Sequence, residues 1–484
     1  MSQKGRLLIA AIPLAVLTGL LAFDIFIFGA DSIMGASQVT LLLAAGICVW
    51  LSMRVYKLPW ENFETAIRTG LGDVAPAIMI LLLIGAISGT WTLSGVVPSF
   101  IYYGLKVISP KIFLLTACVL CAVVSLVTGS SWTTIATVGV ALLGIGKAEG
   151  FSEALTAGAI ISGAYFGDKI SPLSDTTVLA SSISQVDLFT HIRYMLFTTV
   201  PSFVITLIIF TLIGLSHSGG DTGQMEVYAS VLQAKFNITP WLMLVPAITA
   251  VLIWKRFPAM TVLALSVLCA AAASLIFQPE IIASAGERVT SGSHAKIMFA
   301  GVVESIYNSV SPESGNADVD ALIATRGMLG MLNTVFLILC ATCFGACMRE
   351  SGMIADLAGV MTRFTRSRGG LVGSTVCAGT VLNGIVSDQY LSIILTSHIF
   401  RESYAREGYE DRLLSRSVED SATVTSPLFP WSSCGMTQAT ILSVPTIAYA
   451  PFCFFNLLSP LISIAVGIVG WKIVRRSGGA SKGV

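Results

Sequence analysis

Long apolar runs alternate along the chain with short polar breaks, as in AIMILLLIGAISG at 77–89 and FVITLIIFTLIGL at 203–215. A helix needs about 20 apolar residues to cross about 30 Å of hydrocarbon. The pattern therefore predicts an all-α polytopic membrane protein. We expect spanning helices near residues 7–30, 36–53, 73–94, 151–183, 194–215, 240–254, 258–277, 328–348, 411–443 and 445–471.

Two further stretches, 113–146 and 370–400, each carry two short apolar arms around a polar, glycine-containing centre. Neither arm is long enough to span comfortably, so each stretch is predicted to be a re-entrant hairpin. Non-helical backbone of this kind is tolerated at membrane depth only inside protein or beside a wet cavity. Residues 216–239 are predicted to be an external linker, and the polar segment near 278–327 an external loop.

Similar short sequence motifs recur in the two halves of the chain. Gly129 and Gly384 each lie 42 residues before a string that begins SPL, which gives an offset of 255, and WTLSGVV at 91–97 matches MRESGMI at 348–354. This predicts two repeats, 1–215 and 240–484, each with about five transmembrane helices, a re-entrant hairpin and a broken helix. An odd number of crossings per half predicts inverted topology, which is typical of secondary transporters.

Composition and charge support a membrane protein and give it an orientation. The chain is 54% hydrophobic and 11% charged, whereas soluble domains carry about 25% charged residues. The net charge of +1 gives no reason to expect a nucleic-acid partner. With the N-terminus inside, most Lys and Arg residues fall on the cytoplasmic side, as the positive-inside rule requires. We therefore expect a multi-pass protein of the plasma (inner) membrane with both termini in the cytoplasm.

The first apolar segment follows Lys4 and Arg6, as a signal peptide would. Its length favours a retained first spanning helix. The ten cysteines show no metal-ligand spacing and are interpreted as small buried hydrophobic residues.

The most polar stretch within a predicted span is GDKISPLSDTT at 167–177, where Pro172 is expected to break the helix. A broken helix exposes carbonyl oxygens to cations and helix N-termini to anions. Charged side chains at this depth are costly, so they are candidates for function. The candidates for ion or substrate binding are Asp168, Ser171, Ser174, Asp175 and Thr176. Lys169 is a candidate anion contact or, equally, a residue whose ammonium group reaches the membrane interface. A structural alternative is that these charges only hold the break open.

The counterpart in the second half is SVEDSATVTSPLFPWSSCG at 417–435. Glu419 is expected at the cytoplasmic rim, and Asp420 deeper. The second-half and hairpin candidates are Asp420, Thr425 and Ser426, Thr128 and Ser130 at the first hairpin tip, and Asn383, Ser387 and Asp388 at the second. Asp388 could also serve only as a helix cap.

These residues offer carboxylate, hydroxyl and carbonyl oxygens, which suit a hard cation such as Na⁺. We expect Na⁺ at Asp168, Asp175 and Asp388. Burial favours the neutral, protonated form of a carboxylate. Competition between Na⁺ and H⁺ for one carboxylate would then be enough for exchange. No cofactor is expected beyond Na⁺ and H⁺ as coupling ions.

The strings GAYFGDKISPLSDTT at 163–177 and TGSSWTTIATVG at 128–139 resemble the NhaC family of Na⁺/H⁺ antiporters, within the ion transporter superfamily. The resemblance implies that Asp168, Ser171, Asp175 and Thr176 belong to an ion site. That family also contains exchangers of malate for lactate and amino-acid carriers. Na⁺- or H⁺-coupled transport of a small carboxylate or amino acid is therefore the alternative. A homodimer in the lipid bilayer is left open.

Two other classes of protein fit less well. A membrane-embedded enzyme would need a nucleophile–base pair or a metal cluster, and the sequence has neither an HExxH nor a GxSxG arrangement. A channel arises more naturally from identical subunits around an axis. The sequence therefore favours a secondary active transporter, and not an enzyme.

Overall fold

The computed structural model of the protein is helical throughout its described part, which confirms the all-α prediction. The structure describes residues 3–28, 35–107, 109–216, 222–255, 257–310, 312–316, 319–320, 323–325, 327–361, 365 and 367–475.

The described residues of the first half form ten α-helices. They are α1 Gln3–Phe28, α2 Ala36–Leu51, α3 Trp60–Leu93, α4 Val96–Val107, α5 Phe113–Thr128, α6 Ser131–Thr134, α7 Val140–Ala148, α8 Glu153–Ile170, α9 Asp175–Ile183 and α10 Leu188–Ser216. A π-helical stretch, Ile135–Gly139, joins α6 to α7.

The remaining helices follow in the same way. They are α11 Thr222–Lys235, α12 Leu244–Trp254, α13 Ala259–Phe277, α14 Pro279–Glu287, α15 His294–Tyr307, α16 Leu332–Glu350, α17 Met353–Met361, α18 Arg368–Val386, α19 Gln389–Arg406, α20 Asp411–Val418, α21 Ser433–Leu442, α22 Thr446–Tyr449 and α23 Phe454–Val469. The π-helical stretch Glu419–Thr423 continues α20.

Several of these helices are long and apolar enough to cross a membrane. Within the described residues there are eight, or ten if two bent pairs each count as one span. The bent pairs are Glu226–Lys235 with Pro240–Leu252, at 91°, and Thr446–Phe452 with Phe454–Val469, at 56°. A multi-pass membrane protein is thereby confirmed. The predicted span at 445–471 is thus bent rather than straight.

Both predicted hairpins turn at a residue in the left-handed conformation, and the next residue caps the following helix. The first hairpin, α5 to α7, turns at Gly129, whose φ is +66°, and Ser130 then caps α6 by accepting a hydrogen bond from the Thr133 N–H. The second hairpin, α18 to α19, turns at Ser387 with φ +61°, and Asp388 caps α19. Left-handed residues end helices because they let the last carbonyls be satisfied.

Both predicted helix breaks are also present. The first broken helix comprises α8 and α9, which are separated by residues 171–174. The second comprises α20 with its π-helical continuation and α21, separated by a stretch that includes a 3₁₀ turn, Ser426–Leu428. Each break contains proline, which lacks the amide hydrogen that a continuous helix needs.

Similar features recur in the two halves at an offset that differs from the predicted 255, and the repeat itself stays a prediction. EGFSEAL at 149–155 matches EGYEDRL at 407–413, an offset of 258. The same offset relates the capping residues Ser130 and Asp388. The pairing of Gly129 with Gly384 is wrong, because Gly384 lies inside α18 and the turn comes three residues later. Inversion of one half relative to the other stays a prediction.

The segments predicted as linker and loop contain helices. Residues 216–239 include α11, and 278–327 include α14 and α15. These two helices cross closely, since a Cβ added at Gly286 would lie 2.0 Å from the Ile297 carbonyl oxygen. A Cβ added at Gly89 of α3 would lie 1.8 Å from the Ser305 carbonyl oxygen. The segment is therefore a helical hairpin packed on α3, with glycine providing the close approach.

Glycine also joins the first hairpin to the first broken helix. A Cβ added at Gly163 or Gly167 of α8 would lie 2.0 Å or 2.2 Å from the carbonyl oxygens of Cys118 or Ala122 on α5. Small residues at such crossings allow membrane helices to pack backbone to backbone. This packing fixes the hairpin tip against the helix break.

Candidate ion-binding site

A cavity of about 650 Å³ lies where the first hairpin tip meets the first broken helix. Helix α3, the beginning of α13 with the preceding Phe257, and the beginning of α19 complete its wall. Six of the predicted site residues line it, namely Thr128, Ser130, Asp168, Ser174, Asp175 and Thr176. The structure thus brings together the first-half candidates, except Ser171 and Lys169.

Asp168 is the most enclosed carboxylate of this cavity, at 6% exposure. Its Oδ2 accepts hydrogen bonds from the Ser131 N–H at 3.1 Å and from the Ser131 hydroxyl at 2.7 Å. Charge-assisted bonds of this kind are stronger than neutral ones. They hold the Asp168 carboxylate at the hairpin tip, where a cation in the cavity can reach it.

Hydroxyl groups at the first hairpin tip bond to one another. The Thr128 Oγ1 lies 3.3 Å from the Thr134 Oγ1, and it accepts a hydrogen bond from the Ser130 N–H at 3.2 Å. The Thr133 hydroxyl donates to the Ser130 Oγ at 3.1 Å. The tip is therefore an organised set of oxygens, and a cation would meet it with little rearrangement.

Asp175 stands at the first turn of α9 and is exposed to the cavity. Beside it, the Ser174 Oγ and Thr176 Oγ1 lie 3.0 Å apart. Asp73 of α3 also lines the cavity and was missed from the sequence. A carboxylate in the middle of an apolar helix would have indicated this role. The predicted span begins at residue 73, however, and so places Asp73 at the end of the helix.

Ser171 has a structural role in this arrangement. It is fully buried, and its hydroxyl donates to the Leu126 carbonyl at 2.8 Å. It lies outside the residues that line the cavity. Ser171 thus fastens the break of the first broken helix to α5.

The second hairpin tip has a separate set of contacts. Asp388 accepts a hydrogen bond from the Leu391 N–H through Oδ1 at 3.0 Å, and its Oδ2 lies 3.4 Å from the Ser433 hydroxyl. Asn383 donates to the Ala422 carbonyl at 2.6 Å and to the Thr425 Oγ1 at 2.9 Å. The capping role considered for Asp388 is present, through one of its two oxygens.

Ser426 is buried away from the cavity. Its hydroxyl is within 3.2 Å of the Gln389 Oε1 and donates to the Thr423 carbonyl at 2.8 Å. Thr425 is likewise engaged, since its hydroxyl donates to the Ser421 carbonyl at 2.8 Å. These two residues support the second broken helix in this structure and lie outside the cavity lining.

At three equivalent positions, one half of the chain has serine where the other half has aspartate. At the offset of 258, Ser130 corresponds to Asp388, Asp168 to Ser426, and Asp175 to Ser433. The contacts correspond too, because Ser131 bonds Asp168 as Gln389 bonds Ser426. At these three positions the carboxylates lie on the broken helix in the first half and on the hairpin tip in the second, whose broken helix carries Glu419 and Asp420 elsewhere.

Predicted Na⁺ ligation by Asp168, Asp175 and Asp388 together is not supported by the geometry. Across the described residues, no three His, Cys, Asp or Glu side chains are close enough to hold one metal ion. The Asp168 carboxylate turns to Ser131, whereas Asp388 turns to Leu391 and Ser433. Asp388 is also absent from the lining of the cavity, although its neighbours Gln389 and Tyr390 belong to it.

Lys169 does not face the cavity, so its prediction as an open anion contact is wrong for this conformation. It is fully buried, and its ammonium group donates to the Asp420 Oδ1 and, at 3.0 Å, to the Ser459 hydroxyl. The Thr198 hydroxyl donates to the same Asp420 oxygen at 3.0 Å. Burial of the pair is tolerated because each charge has a partner and further hydrogen bonds.

Further ionisable groups surround this pair, and the sequence did not reveal them. Arg416 is fully buried, with its Nε 3.8 Å from the Asp420 Oδ2 and its guanidinium 4.9 Å from the centre of the Tyr194 ring. Glu419 is fully buried, and its position at the cytoplasmic rim stays a prediction. His191 is buried at the start of α10 and lies 2.8 Å from the Ser415 Oγ.

The sequence pattern described as "Na+/H+ antiporter family" matches residues 6–165 and 163–471. The chain belongs to this family. It is 36% identical to the Na(+)/H(+) antiporter NhaC of Alkalihalophilus pseudofirmus over 89% of each chain. The predicted membership of the NhaC family is therefore confirmed, and with it a transporter rather than a soluble protein.

Other antiporters of the family are similarly close. The malate-2H(+)/Na(+)-lactate antiporter of Bacillus subtilis is 35% identical over 90% of this chain and 89% of its own. The arginine/ornithine antiporter ArcD of Halobacterium salinarum is 32% identical over 96% and 92%. The solved YdaH transporter of Alcanivorax borkumensis, 12% identical over 85% and 89%, has a TM-score of 0.40, which does not establish a shared fold.

Proposed function

We propose that this protein exchanges Na⁺ for H⁺ across the membrane, with both ions competing for the carboxylates of the first-half cavity. The observation that carries the proposal is the convergence of Asp168 and Asp175 with the hydroxyl-rich tip of the first hairpin. Oxygen ligands of this kind suit a hard cation. Membership of the Na⁺/H⁺ antiporter family supports the same conclusion.

The exchange follows from electrostatics at the Asp168 and Asp175 carboxylates. A cation bound there neutralises charge that is otherwise costly inside a membrane. When the cation leaves, a proton can neutralise the same charge. An empty, charged site is therefore the disfavoured state, and movement of the loaded site in each direction carries one kind of ion against the other.

The cavity fits a cation better than a small carboxylate. Asp73, Asp168 and Asp175 line it, and Lys and Arg are absent from its described lining. Lys169, the residue that could have attracted a carboxylate, is paired with Asp420. Transport of a malate- or lactate-like anion, as the names of some relatives suggest, would require this ion pair to open.

The orientation and location form part of the proposal. The excess of Lys and Arg in segments on one side supports a cytoplasmic position for both termini. The family of ion antiporters supports placement in the plasma membrane, where a Na⁺ or H⁺ gradient is available. Transport of ions requires no chemical catalysis by the chain.

The deciding experiment measures Na⁺-dependent H⁺ flux in liposomes containing the purified protein. Asp175→Asn is expected to abolish that flux, because it removes a cavity carboxylate without changing the side-chain volume. Asp187→Asn is the matched control, since Asp187 accepts hydrogen bonds from Thr190 outside the cavity and asparagine can cap as well. Unchanged flux in Asp175→Asn would refute the site.

A further inference from the structure

We propose that an anionic phospholipid binds at one surface of the membrane, where the beginning of α10 meets the chain that follows α23. The binding surface, the basic patch, consists of Phe189, Arg193, Trp471 and Lys472. Its two cations hold the phosphate of the headgroup, and the acyl chains lie along the apolar faces of the two helices. The inference concerns lipid rather than the transported ions, so it stands independently of the proposed function.

Helices α10 and α23 lie side by side, and both belong to segments that are long and apolar enough to cross a membrane. The ring centres of Phe203 and Phe455 are 6.2 Å apart, and those of Phe210 and Phe454 are 5.1 Å apart. Each helix has an exposed apolar stripe at helical spacing, formed by Val200, Val204, Ile208 and Leu212 on α10 and by Leu457, Leu461 and Ile468 on α23. Acyl chains cover such stripes in a membrane.

The exposed stripe of α10 continues to a cation. Arg193 lies seven residues before Val200, and Phe189 lies four residues before Arg193, so all three share one face of the helix. Phe189 is 61% exposed, and Arg193 is also exposed. A long basic side chain near the end of a membrane helix extends its charge to the headgroups. Arg193 is therefore placed to meet a lipid phosphate.

The chain that follows α23 brings a second cation to the same place. Trp471 is 47% exposed, and its ring centre lies 5.6 Å from that of Phe197. The Lys472 Nζ lies 5.8 Å from the centre of the same Phe197 ring. Phe197 follows Arg193 by one helical turn, so Arg193 and Lys472 both adjoin it. Tryptophan is typical of the membrane interface, which places the basic patch at headgroup depth.

The positive charges of the basic patch are not neutralised by ion pairs. Among the described residues, neither Arg193 nor Lys472 takes part in a salt bridge. Asp187 is the nearest carboxylate along α10, and its Oδ2 accepts hydrogen bonds from the Thr190 N–H and hydroxyl, each at 3.0 Å. The two exposed cations are thus available to an anion from outside the chain.

The surroundings of the two cations favour a lipid over a soluble anion or an acidic protein segment. The apolar stripes of α10 and α23 lead directly to the basic patch, so a ligand that fits both must carry hydrocarbon next to its negative charge. A phospholipid supplies both parts, and basic residues between membrane helices attract anionic headgroups.

The basic patch is also attached to the buried ion pairs of the protein. The Tyr194 hydroxyl donates to the Lys472 carbonyl at 3.0 Å. The guanidinium groups of Arg412 and Arg416 lie 5.0 Å and 4.9 Å from the centre of the Tyr194 ring. A lipid held by Lys472 therefore supports a segment that packs on α20, and its binding to the folded protein should raise the melting temperature.

The test measures the affinity of the purified full-length protein for phosphatidylglycerol and phosphatidylcholine by native mass spectrometry. Wild type is expected to prefer phosphatidylglycerol. Arg193→Gln with Lys472→Gln should weaken phosphatidylglycerol binding about thirtyfold, because each basic residue near an anionic lipid contributes about fivefold. Phosphatidylglycerol should also raise the melting temperature of wild type more than that of this variant.

The control variant removes two exposed positive charges elsewhere. It is Arg68→Gln with Lys106→Gln, in which Arg68 pairs with Glu64 and the Lys106 Nζ lies 4.1 Å from the centre of the Tyr102 ring, as Lys472 lies over Phe197. This variant should bind phosphatidylglycerol as wild type does. Equal affinities of the two variants would overturn the proposal.

Two further measurements use wild type alone, so they hold even if the patch variant does not fold. A photoactivatable phosphatidylglycerol should cross-link to residues 189–197 and 470–475, and cross-links confined to other segments would overturn the basic patch. Glycerol 3-phosphate should not displace the lipid at equal concentration. Displacement would show a site for soluble phosphates, and the lipid would then not be the ligand.

Discussion

Asp168 and Lys169 are consecutive residues on the last turn of α8, and their side chains reach two separate polar clusters. Asp168 accepts hydrogen bonds from Ser131 of the first hairpin, and Lys169 donates to Asp420 of the second broken helix. One helix end is therefore held by contacts to both halves. A change in either contact is expected to alter the position of the other side chain.

The hydroxyl of Ser131 is expected to tune the affinity for Na⁺. Ser131→Ala removes the 2.7 Å bond to Asp168 but keeps the backbone N–H bond. A hydrogen bond to a charged group contributes about 1.5–3 kcal/mol, so we expect Na⁺ half-saturation to shift by about tenfold or more. The measurement is the Na⁺ dependence of antiport in liposomes.

Thr137→Ala provides the comparison for Ser131→Ala. The Thr137 hydroxyl donates to the Thr133 carbonyl of the preceding turn at 2.7 Å and has no contact with Asp168. It should leave the half-saturation concentration within about twofold of wild type, as expected of a change that removes no site contact. Equal effects of both substitutions would mean that the Ser131–Asp168 bond is not specific to cation binding.

Removal of the Lys169 charge is expected to destabilise the protein strongly. Lys169→Met leaves the buried Asp420 carboxylate with Arg416 as its remaining cation, and breaking a buried pair costs about 3–5 kcal/mol. Lys169→Met with Asp420→Asn should be less destabilised than Lys169→Met alone, because the Asp420 charge is removed together with its Lys169 partner. Unfolding in detergent, monitored by circular dichroism against denaturant, gives the free energies.

An exposed ion pair supplies the reference for this comparison. Lys147 pairs with Glu153 at 2.7 Å, but the two side chains are 34% and 43% exposed. Lys147→Met should therefore cost about 1 kcal/mol or less. Similar losses for Lys147→Met and Lys169→Met would contradict the buried environment of Lys169.

Close packing of α8 on α5 should not tolerate a methyl group. In Gly163→Ala the new Cβ would lie 2.0 Å from a backbone carbonyl oxygen of α5, so the helices must separate. Overpacking of this kind costs about 1–3 kcal/mol. Gly373→Ala on α18, where nothing lies within 4 Å of the added Cβ, should be tolerated. Thermal stability in detergent compares the two, and equal melting temperatures would argue against this crossing.

Much of the candidate site could be predicted from local chemistry. Pro172 between two polar turns indicated the break, and the polar glycine-containing stretch near Gly129 indicated the hairpin turn. Thr128, Ser130, Asp168, Ser174, Asp175 and Thr176 meet at one cavity because the hairpin tip and the break lie side by side. These signals come from residues that are close together in the sequence, so they can be recognised without knowledge of the fold.

The remaining features depend on contacts between distant segments. No pattern near Asp73 shows that α3 passes the first hairpin tip, and no pattern near Lys169 shows that Asp420 lies opposite. At the second hairpin tip, the dipeptide Asn383–Gly384 is a common turn signal and favours a turn earlier than the observed one. The chain instead continues as a helix to Val386, where Ser387 adopts the left-handed conformation and Asp388 caps the next helix.

The predicted inversion of the repeats can be tested at equivalent positions. Ser152 and Glu410 precede α8 and α20 at the offset of 258. If the halves are inverted, a membrane-impermeant thiol reagent should label Ser152→Cys and Glu410→Cys from opposite sides. The background is a variant without the ten native cysteines. Labelling of both positions from the same side would show that the repeats are parallel.

Competition between Na⁺ and H⁺ predicts the pH dependence of transport. As pH falls, protonation of the shared carboxylates must raise the Na⁺ concentration needed for half-maximal exchange. With one shared proton, the increase approaches about tenfold per pH unit, because each unit changes proton concentration tenfold. Flux measured against Na⁺ at several pH values tests this. A maximal rate that falls at unchanged half-saturation would indicate separate carriers for the two ions.

Helix α3 extends through 34 residues, which is about 51 Å at 1.5 Å per residue, whereas the hydrocarbon core is about 30 Å thick. Asp73 on this helix lines the cavity, while Gly85 and Gly89, further along, rest against the backbone at Gly327 and Ser305. Because backbone packs directly against backbone at these two points, no side chain lies between the segments that could move to accommodate a shift. Any tilt of α3 that changes the shape of the cavity must therefore also move α14 and α15.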